Sequence, residues 1–340
     1  MNKKRILIIG DPHFREKLGY ADYIKDGRKA EEQEVLDAIV KQSHDCDEVV
    51  FLGDNFNAKN NTSDVIKKFV VFLERFRGKQ LYLISGNHTK HADGRTAIDF
   101  LKEINNPNWH VITTGVEEIN GLTFLPYMTK PELDAKDDAE GIKKVMKMLP
   151  DGKILFAHHA ISDSMAGVVS TNIFNEIVLP KTKLEKKFKL IIGGHIHTPQ
   201  KVSEQIYIAG SIFNNEVGEI QKYVYKVNRE TLKVESFTLP GRGLYKVENP
   251  SVATLEKIPT SSIVKVVMTN PELETTIPAI KEFLERFDAF LFLEQYPTKR
   301  KKIHFEKGML DLKVENLLKI YAKEKDIDLK KLNNAWKLIK

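Results

Sequence analysis

Along the chain, short runs of apolar, mostly β-branched residues alternate with longer stretches in which apolar positions recur every three or four residues. Residues 6–9, 48–52 and 80–84 are of the first kind and predict buried strands. Residues 28–41, with Val35, Leu36 and Ile39 on one face, are of the second kind, as are residues 63–77, with Ile66, Phe69, Val70, Leu73 and Phe76. Both predict amphipathic helices, and Thr62 stands where the second would be capped. The order strand, helix, strand, helix, strand argues for a mostly parallel sheet flanked by helices.

The middle of the chain is less regular. Residues 109–113, 122–126 and 153–157 predict strands and 141–149 a helix. Residues 161–184 hold no clear period and read as loop, with a short helix near 174–177. Strands follow at 190–192 and 206–209, then a closing antiparallel hairpin of 222–227 and 233–238. The Leu239-Pro240-Gly241-Arg242-Gly243 segment is a boundary signal. Beyond it, a strand at 262–268, a helix at 275–287 and a strand at 289–293 form a small βαβ-like unit. Two helices end the chain, one carrying Val314, Leu317, Leu318 and Tyr321, the other Leu332, Trp336 and Ile339. The division expected is a main domain at 1–240, a small α/β cap at 241–305 and a helical tail at 306–340.

Composition adds little until charge is mapped. The 340 residues are 41% hydrophobic and 29% charged, as in ordinary soluble domains. The formal charge is +6, and residues 241–340 hold 19 Lys+Arg against 14 Asp+Glu, so nearly all the excess lies there. Lys299, Arg300, Lys301 and Lys302 form the densest basic run. Such a run either tracks phosphates or is a solvated edge protected by charge. The single cysteine, Cys46, excludes an internal disulfide and leaves metal chemistry to His, Asp and Asn. No apolar run approaches membrane-spanning length or a signal-peptide core, so the chain reads as cytoplasmic.

The chemistry collects at the predicted strand ends. They read Gly10-Asp11-Pro12-His13, Gly53-Asp54-Asn55-Phe56-Asn57, Ser85-Gly86-Asn87-His88, His158-His159 and Gly193-Gly194-His195-Ile196-His197. In extended backbone, residues two apart share a face, and ligands of such sheets gather at the carboxyl ends of strands. Asp11, His13, Asp54, Asn87, His158, His195 and His197 are a mixed oxygen and imidazole set, suited to manganese, iron or zinc rather than calcium. Seven donors exceed one tetrahedral ion. They suit two ions roughly 3.5–4 Å apart that share a carboxylate and lower the pKa of a bound water. Asp54, after a glycine on a central strand, is the natural bridge.

The ordered set D-x-H, G-D, G-N-H, H and G-H-x-H resembles the calcineurin-like metallophosphoesterase family over roughly residues 5–240. That resemblance implies an α/β fold, a β-sandwich flanked by helices in α/β/β/α layers. It implies one ion held by Asp11, His13, Asp54 and His197, and a second by Asp54, Asn87, His158 and His195. His88 would face the scissile phosphate, steadying the transition state or protonating the leaving oxygen. His159 would then stand behind the ligands or simply in a loop. Within the family the chain is most similar to SbcD-type DNA-end nucleases, on Gly53-Asp54-Asn55-Phe56, the run from Gly194 to Gln200, Ile208-Ala209-Gly210-Ser211 and the small cap.

The SbcD likeness implies two divalent ions, Mn²⁺ ahead of Mg²⁺, Fe²⁺ or Zn²⁺. It also implies exonuclease or endonuclease action on DNA in repair and recombination. An SMC-like ATPase of the SbcC type would dock on the C-terminal helices, and dimerisation is left open. The alternatives are a stand-alone phosphoesterase acting on nucleotides or other small phosphoesters, and a catalytically weak scaffold subunit. Two residues depart from the pattern: Asn57 stands where relatives carry Asp or His, and Thr89 where they carry an acid, for which Asp93 is a candidate replacement. His44, His91, His110 and His304 match no motif.

Overall fold

A computed structural model describes residues 5–294, apart from 25, 92, 168, 174–175, 271–276 and 288, and also Asp328. The chain divides into a unit spanning Met1–Gln295 and one spanning Tyr296–Lys340. The basic run Lys299, Arg300, Lys301 and Lys302 and the two expected terminal helices lie outside the described residues.

The first unit is built on two six-stranded sheets. In chain order the strands are β1 (Arg5–Ile9), β2 (Glu48–Phe51), β3 (Gln80–Ile84), β4 (Trp109–Ile112), β5 (Glu117–Ile119), β6 (Leu122–Leu125) and β7 (Gly152–Ala157). A two-stranded ribbon of β8 (Met165–Ala166) and β9 (Val169–Ser170) follows. Then come β10 (Phe188–Gly193), β11 (Gln200–Lys201), β12 (Ile206–Ile208), β13 (Tyr223–Asn228) and β14 (Val234–Thr238). The first sheet runs β14-β13-β1-β2-β3-β4 and the second β11-β12-β10-β7-β6-β5. Strands β1 to β4 pair in parallel, as do β12, β10, β7 and β6. Antiparallel partners close the edges: β13 and β14 on one sheet, β11 and β5 on the other.

Strand alternation sorts the core into layers. Ile6, Ile8, Val50, Leu52, Tyr82 and Ile84 of the first sheet pack with Phe124, Phe156, Leu190 and Ile192 of the second. Their neighbours Leu7, Ile9, Val49, Phe51, Leu81 and Leu83 face the other way, onto α1 (Lys29–Gln42) and α2 (Ser63–Glu74). A short α3 (Phe100–Glu103) adds Leu101 to that layer. Leu155, Ile191, Ile206 and Ile208 face α4 (Asp138–Met148) and α5 (Lys181–Lys187). The result is the expected α/β/β/α sandwich.

Two aromatic side chains tie this core to the strand ends. Phe14 follows His13 and Phe56 lies two residues after Asp54, and both rings are buried against Phe69 of α2, at 5.1 and 4.9 Å. Burying each is worth ~1.5–3 kcal/mol, enough to offset the ~1–3 kcal/mol that a strained loop residue costs. The amphipathic stripe of α2 therefore anchors both loops. Thr62 has the extended backbone of an N-cap, yet its hydroxyl accepts no capping hydrogen bond. Helix α4 starts three residues before the apolar period suggests, because Asp137 caps it by accepting from the Glu140 N–H at 2.8 Å.

A third sheet follows, of β15 (Leu244–Glu248), β16 (Ile263–Met268) and β17 (Ala289–Glu294), all parallel. With α6 (Val252–Leu255) and α7 (Ile277–Leu284) it encloses its own core of Leu255, Val264, Val266, Ile280, Phe283 and Leu284.

Candidate metal centre and active site

The loops after β1, β2, β3, β7 and β10 converge at one end of the sandwich, and they carry every predicted ligand. Asp11, His13, Asp54 and His158 are almost wholly buried. His13, Asp54 and His195 adopt the left-handed backbone at φ 46°, 39° and 75°, a conformation that costs energy outside glycine and clusters at functional sites. Close packing makes neighbouring glycines necessary. A Cβ on Gly53 would lie 2.0 Å from His158 Nδ1, and one on Gly86 2.1 Å from Asp54 Oδ1.

The donor atoms fall into two overlapping groups. In one, His13 Nε2 and His197 Nε2 are 2.9 Å apart, and Asp11 lies within reach of both. In the other, Asn87 Oδ1 lies 3.1 Å from His158 Nε2 and 3.0 Å from His195 Nδ1. Asp54 Oδ2 reaches toward both groups, 3.9 Å from His13 Nε2 and 3.2 Å from His158 Nε2. Asp11 is shared as well, since it also clusters with Asp54 and His158, and its Oδ1 lies 3.7 Å from His158 Nδ1.

Hydrogen bonds on the far side orient the rings. His158 Nδ1 donates to the Leu52 carbonyl at 2.8 Å, which turns Nε2 inward. His195 Nε2 pairs with Glu176 Oε1 at 2.7 Å, which turns Nδ1 inward. A carboxylate on the outer nitrogen of a ligating histidine is the usual support of a metal site.

The cluster fits cations. Both carboxylate oxygens of Asp11, Asp54 Oδ2 and His13 Nδ1 are buried without a hydrogen-bond partner. A buried polar atom left unpaired costs about 1–3 kcal/mol, and divalent ions would satisfy the carboxylates. Titration follows the same logic. Burial raises the Asp11 carboxyl to about 7, against the pull of His158 and with the repulsion of Asp54. Burial alone would also raise Asp54, but the adjacent His158 imidazole, helped by His13, holds it well below the usual carboxylate range. His158, which burial would depress, is lifted to about 9 by Asp54 and Asp11. Burial pushes His13 well down, and lowers His197 against the opposing Glu219.

His88 sits beside the ligands, its ring 4.8 Å from that of His13, and it joins His13 and Asp54 in a third group of clustered donors. Its backbone N–H donates to Asp54 Oδ1 at 2.9 Å. Its Nδ1 meets the backbone carbonyl of Asn57 at 3.3 Å. A carbonyl only accepts, so Nδ1 carries the proton and Nε2 is left free. Asn57 thus supports His88 with its backbone, while its side chain accepts from Arg15 Nη2 at 2.5 Å. Thr89 is buried and donates to the Gly86 carbonyl at 3.0 Å. Asp93 is turned to solvent and pairs with Arg95 at 2.7 Å. His159 is fully buried, accepts from the Met128 N–H at 3.1 Å, and stacks on Tyr127 at 5.1 Å. Burial takes its pKa down to about 3, so it is a neutral packing residue.

Arg15, Glu176, Glu219 and Lys222 escaped the sequence reading. Lys222 is buried and donates to the His197 carbonyl at 2.9 Å, Ser211 Oγ at 2.7 Å and Glu219 Oε1 at 2.8 Å. It ties the residue before β13 to the loop after β10. A cleft of about 410 Å³ opens over the site, lined by His88, His195, His197, Thr198, Glu216 and Glu219 among others.

A family model described as calcineurin-like phosphoesterase matches residues 4–199. The chain belongs to that family. A viral relative, "Putative phosphoesterase 244L" of Invertebrate iridescent virus 6, is 25% identical over 236 residues, covering 64% of this chain and 73% of its own. A solved structure described as a novel archaeal phosphodiesterase aligns with 69% of this chain and 99% of its own, at 12% identity and a TM-score of 0.34, too distant to argue from. As a calcineurin-like phosphoesterase, the chain is a metal-dependent hydrolase of phosphoesters, with an Asp/His cluster fit for a dinuclear divalent site. Among the described residues, no helix is long and apolar enough to cross a membrane.

Proposed function

We propose that this phosphoesterase hydrolyses DNA phosphodiester bonds, as the nuclease subunit of an SbcCD-like end-processing complex. The observation that carries its chemistry is the convergence of donors on Asp11, His13, Asp54, Asn87, His158, His195 and His197, with Asp11, His13, Asp54 and His158 buried and Asp54 common to both halves. These residues would hold two divalent ions, manganese first among the candidates, which would make hydroxide available at neutral pH and offset charge on the phosphoryl oxygens. The rest of the chemistry falls to the chain. His88 is fixed by Asp54 Oδ1 and the Asn57 carbonyl, and in its doubly protonated form its Nε2 would give a proton to the leaving oxygen.

The substrate class is supported by the parallel sheet that follows the sandwich, read as a cap, and by the basic run Lys299, Arg300, Lys301 and Lys302. Those side chains would contact phosphates and make binding fall steeply with salt. The apolar stripes expected in 306–340 would dock the ATPase. Glu216 and Glu219 at the cleft favour a second reading, a stand-alone enzyme for small phosphoesters, because they repel a polyanion crossing that side.

The test is hydrolysis of linear double- and single-stranded DNA with manganese, beside a bis-aryl phosphodiester, by wild type, His88→Ala and Asp54→Ala. DNA cleavage that both variants lose supports the nuclease. Turnover of the small ester alone transfers the case to the second reading. A chain ending at residue 307 should keep cleavage and lose any stimulation by an SbcC-type ATPase with ATP.

A further inference from the structure

Arg15 leaves the first ligand loop two residues after His13. Its Nε donates to the His13 carbonyl at 3.3 Å and its Nη2 to Asn57 Oδ1 at 2.5 Å. Its own carbonyl accepts from Lys68 Nζ at 3.2 Å. Both groups that hold the guanidinium are neutral, and among the described residues no carboxylate pairs with it. Glu216 and Glu219 act on it through space, but Glu219 is already engaged by Lys222 at 2.8 Å and by the N–H groups of Asn215 and Glu216.

The side chain at position 57 decides what that charge can do. An aspartate there would close an ion pair with Arg15 and cancel it. The amide of Asn57 accepts one hydrogen bond, fixes the fork and adds no charge that would pair with it. Asn57 also holds His88 through its carbonyl, and His88 packs on His13. Arg15 therefore stands beside His13 through the His13 carbonyl and beside His88 through Asn57. The scissile phosphate belongs over the ligands and His88, so a guanidinium held beside both by the His13 carbonyl and the Asn57 amide is placed to meet a neighbouring phosphate of a strand.

We propose that Arg15 binds the substrate phosphate adjacent to the scissile one, and that Asn57 positions the guanidinium without neutralising it. This rests on the nucleic-acid reading above, and it gives the departure at position 57 a purpose: the residue presents a binding charge.

The test uses the full chain with manganese and two thymidine dinucleotides ending in a p-nitrophenyl phosphodiester. In one, the neighbouring internucleotide link is a phosphate. In the other it is a neutral methylphosphonate. Wild type should lose about 10- to 100-fold in kcat/KM on the methylphosphonate, mainly through KM, as for loss of one charge-assisted contact. Arg15→Gln should lose a similar factor on the phosphate and little more on the methylphosphonate. Arg15→Lys should fall between, and Asn57→Asp should resemble Arg15→Gln. The wild-type comparison needs no variant to fold. If wild type and Arg15→Gln lose the same factor on changing the link, Arg15 does not meet that phosphate and the inference fails alone. If wild type cleaves neither dinucleotide but turns over bis(p-nitrophenyl) phosphate, the nucleic-acid reading fails and takes the inference with it.

Discussion

Replacing Gly86 with alanine adds one methyl group at the most crowded point of the site. The new Cβ would stand 2.1 Å from Asp54 Oδ1 and 2.4 Å from the Asp54 nitrogen. Ordinary contact needs about 3.4 Å or more, so the carboxylate must retreat by roughly 1 Å. Gly86 is not in the left-handed region, so alanine adds no backbone strain and the effect is steric. Asp54 Oδ1 is the acceptor that fixes the His88 N–H, so the shared carboxylate and the proposed acid move together. A misplacement of about 1 Å costs near 100-fold in rate, or about 2.7 kcal/mol of transition-state stabilisation. Overpacking of this kind costs about 1–3 kcal/mol of stability, a melting shift of several degrees at this chain length. The assay is bis(p-nitrophenyl) phosphate turnover across a manganese titration, with melting followed by circular dichroism. Gly78→Ala is the control, because Gly78 sits at φ +80° with open space around its Cβ. It should lose ~1–2 kcal/mol through the backbone alone and keep its activity. A folded Gly86→Ala chain within threefold of wild-type turnover would refute the role given to Asp54.

Other outcomes follow from the same geometry. In the metal-free chain Asp11, raised to about 7, and His158, raised to about 9, keep protons that unfolding releases nearer 3.8 and 6.5. Stability from these two groups therefore falls as pH rises from about 4 to about 9, since the folded state binds more protons across that window. Near neutral pH both hold protons that metal binding must displace. Calorimetric metal titrations in buffers of different ionisation heat should show that release, and identical heats in all buffers would contradict it. Glu176→Gln removes the carboxylate that turns His195 Nδ1 inward and should weaken metal binding ~10–100-fold, and unchanged affinity would leave Glu176 without that role.

How far the sequence foretold the molecule depends on what each residue needs nearby. The clustered residues were legible because apolar strands ending in polar pairs are local patterns, and Asp11, His13, Asp54 and Asn87 each follow such a strand. Strand β15 was missed because it alternates and is half exposed, and it directly follows a Pro-Gly turn. Helix α5 was missed because four of its seven residues are lysine and only Leu184 is buried. Glu176 lies in a stretch without period, and its partner His195 is 19 residues away. Arg15 carried no signal, since its meaning comes from Asn57, 42 residues on. Asn57 itself was read by its side chain, whereas the group that supports His88 is its backbone carbonyl, which residue type does not reveal.

The central claim is that one buried cluster holds two ions with Asp54 between them. It is tested most directly by metal content. The metal-free chain is reloaded with manganese, passed over a desalting column and assayed by elemental analysis, for wild type and Asp54→Asn. Two ions per chain in wild type, with at most one retained by a folded Asp54→Asn, is the expected result. A single ion in wild type, or two in both proteins, would contradict the bridging site.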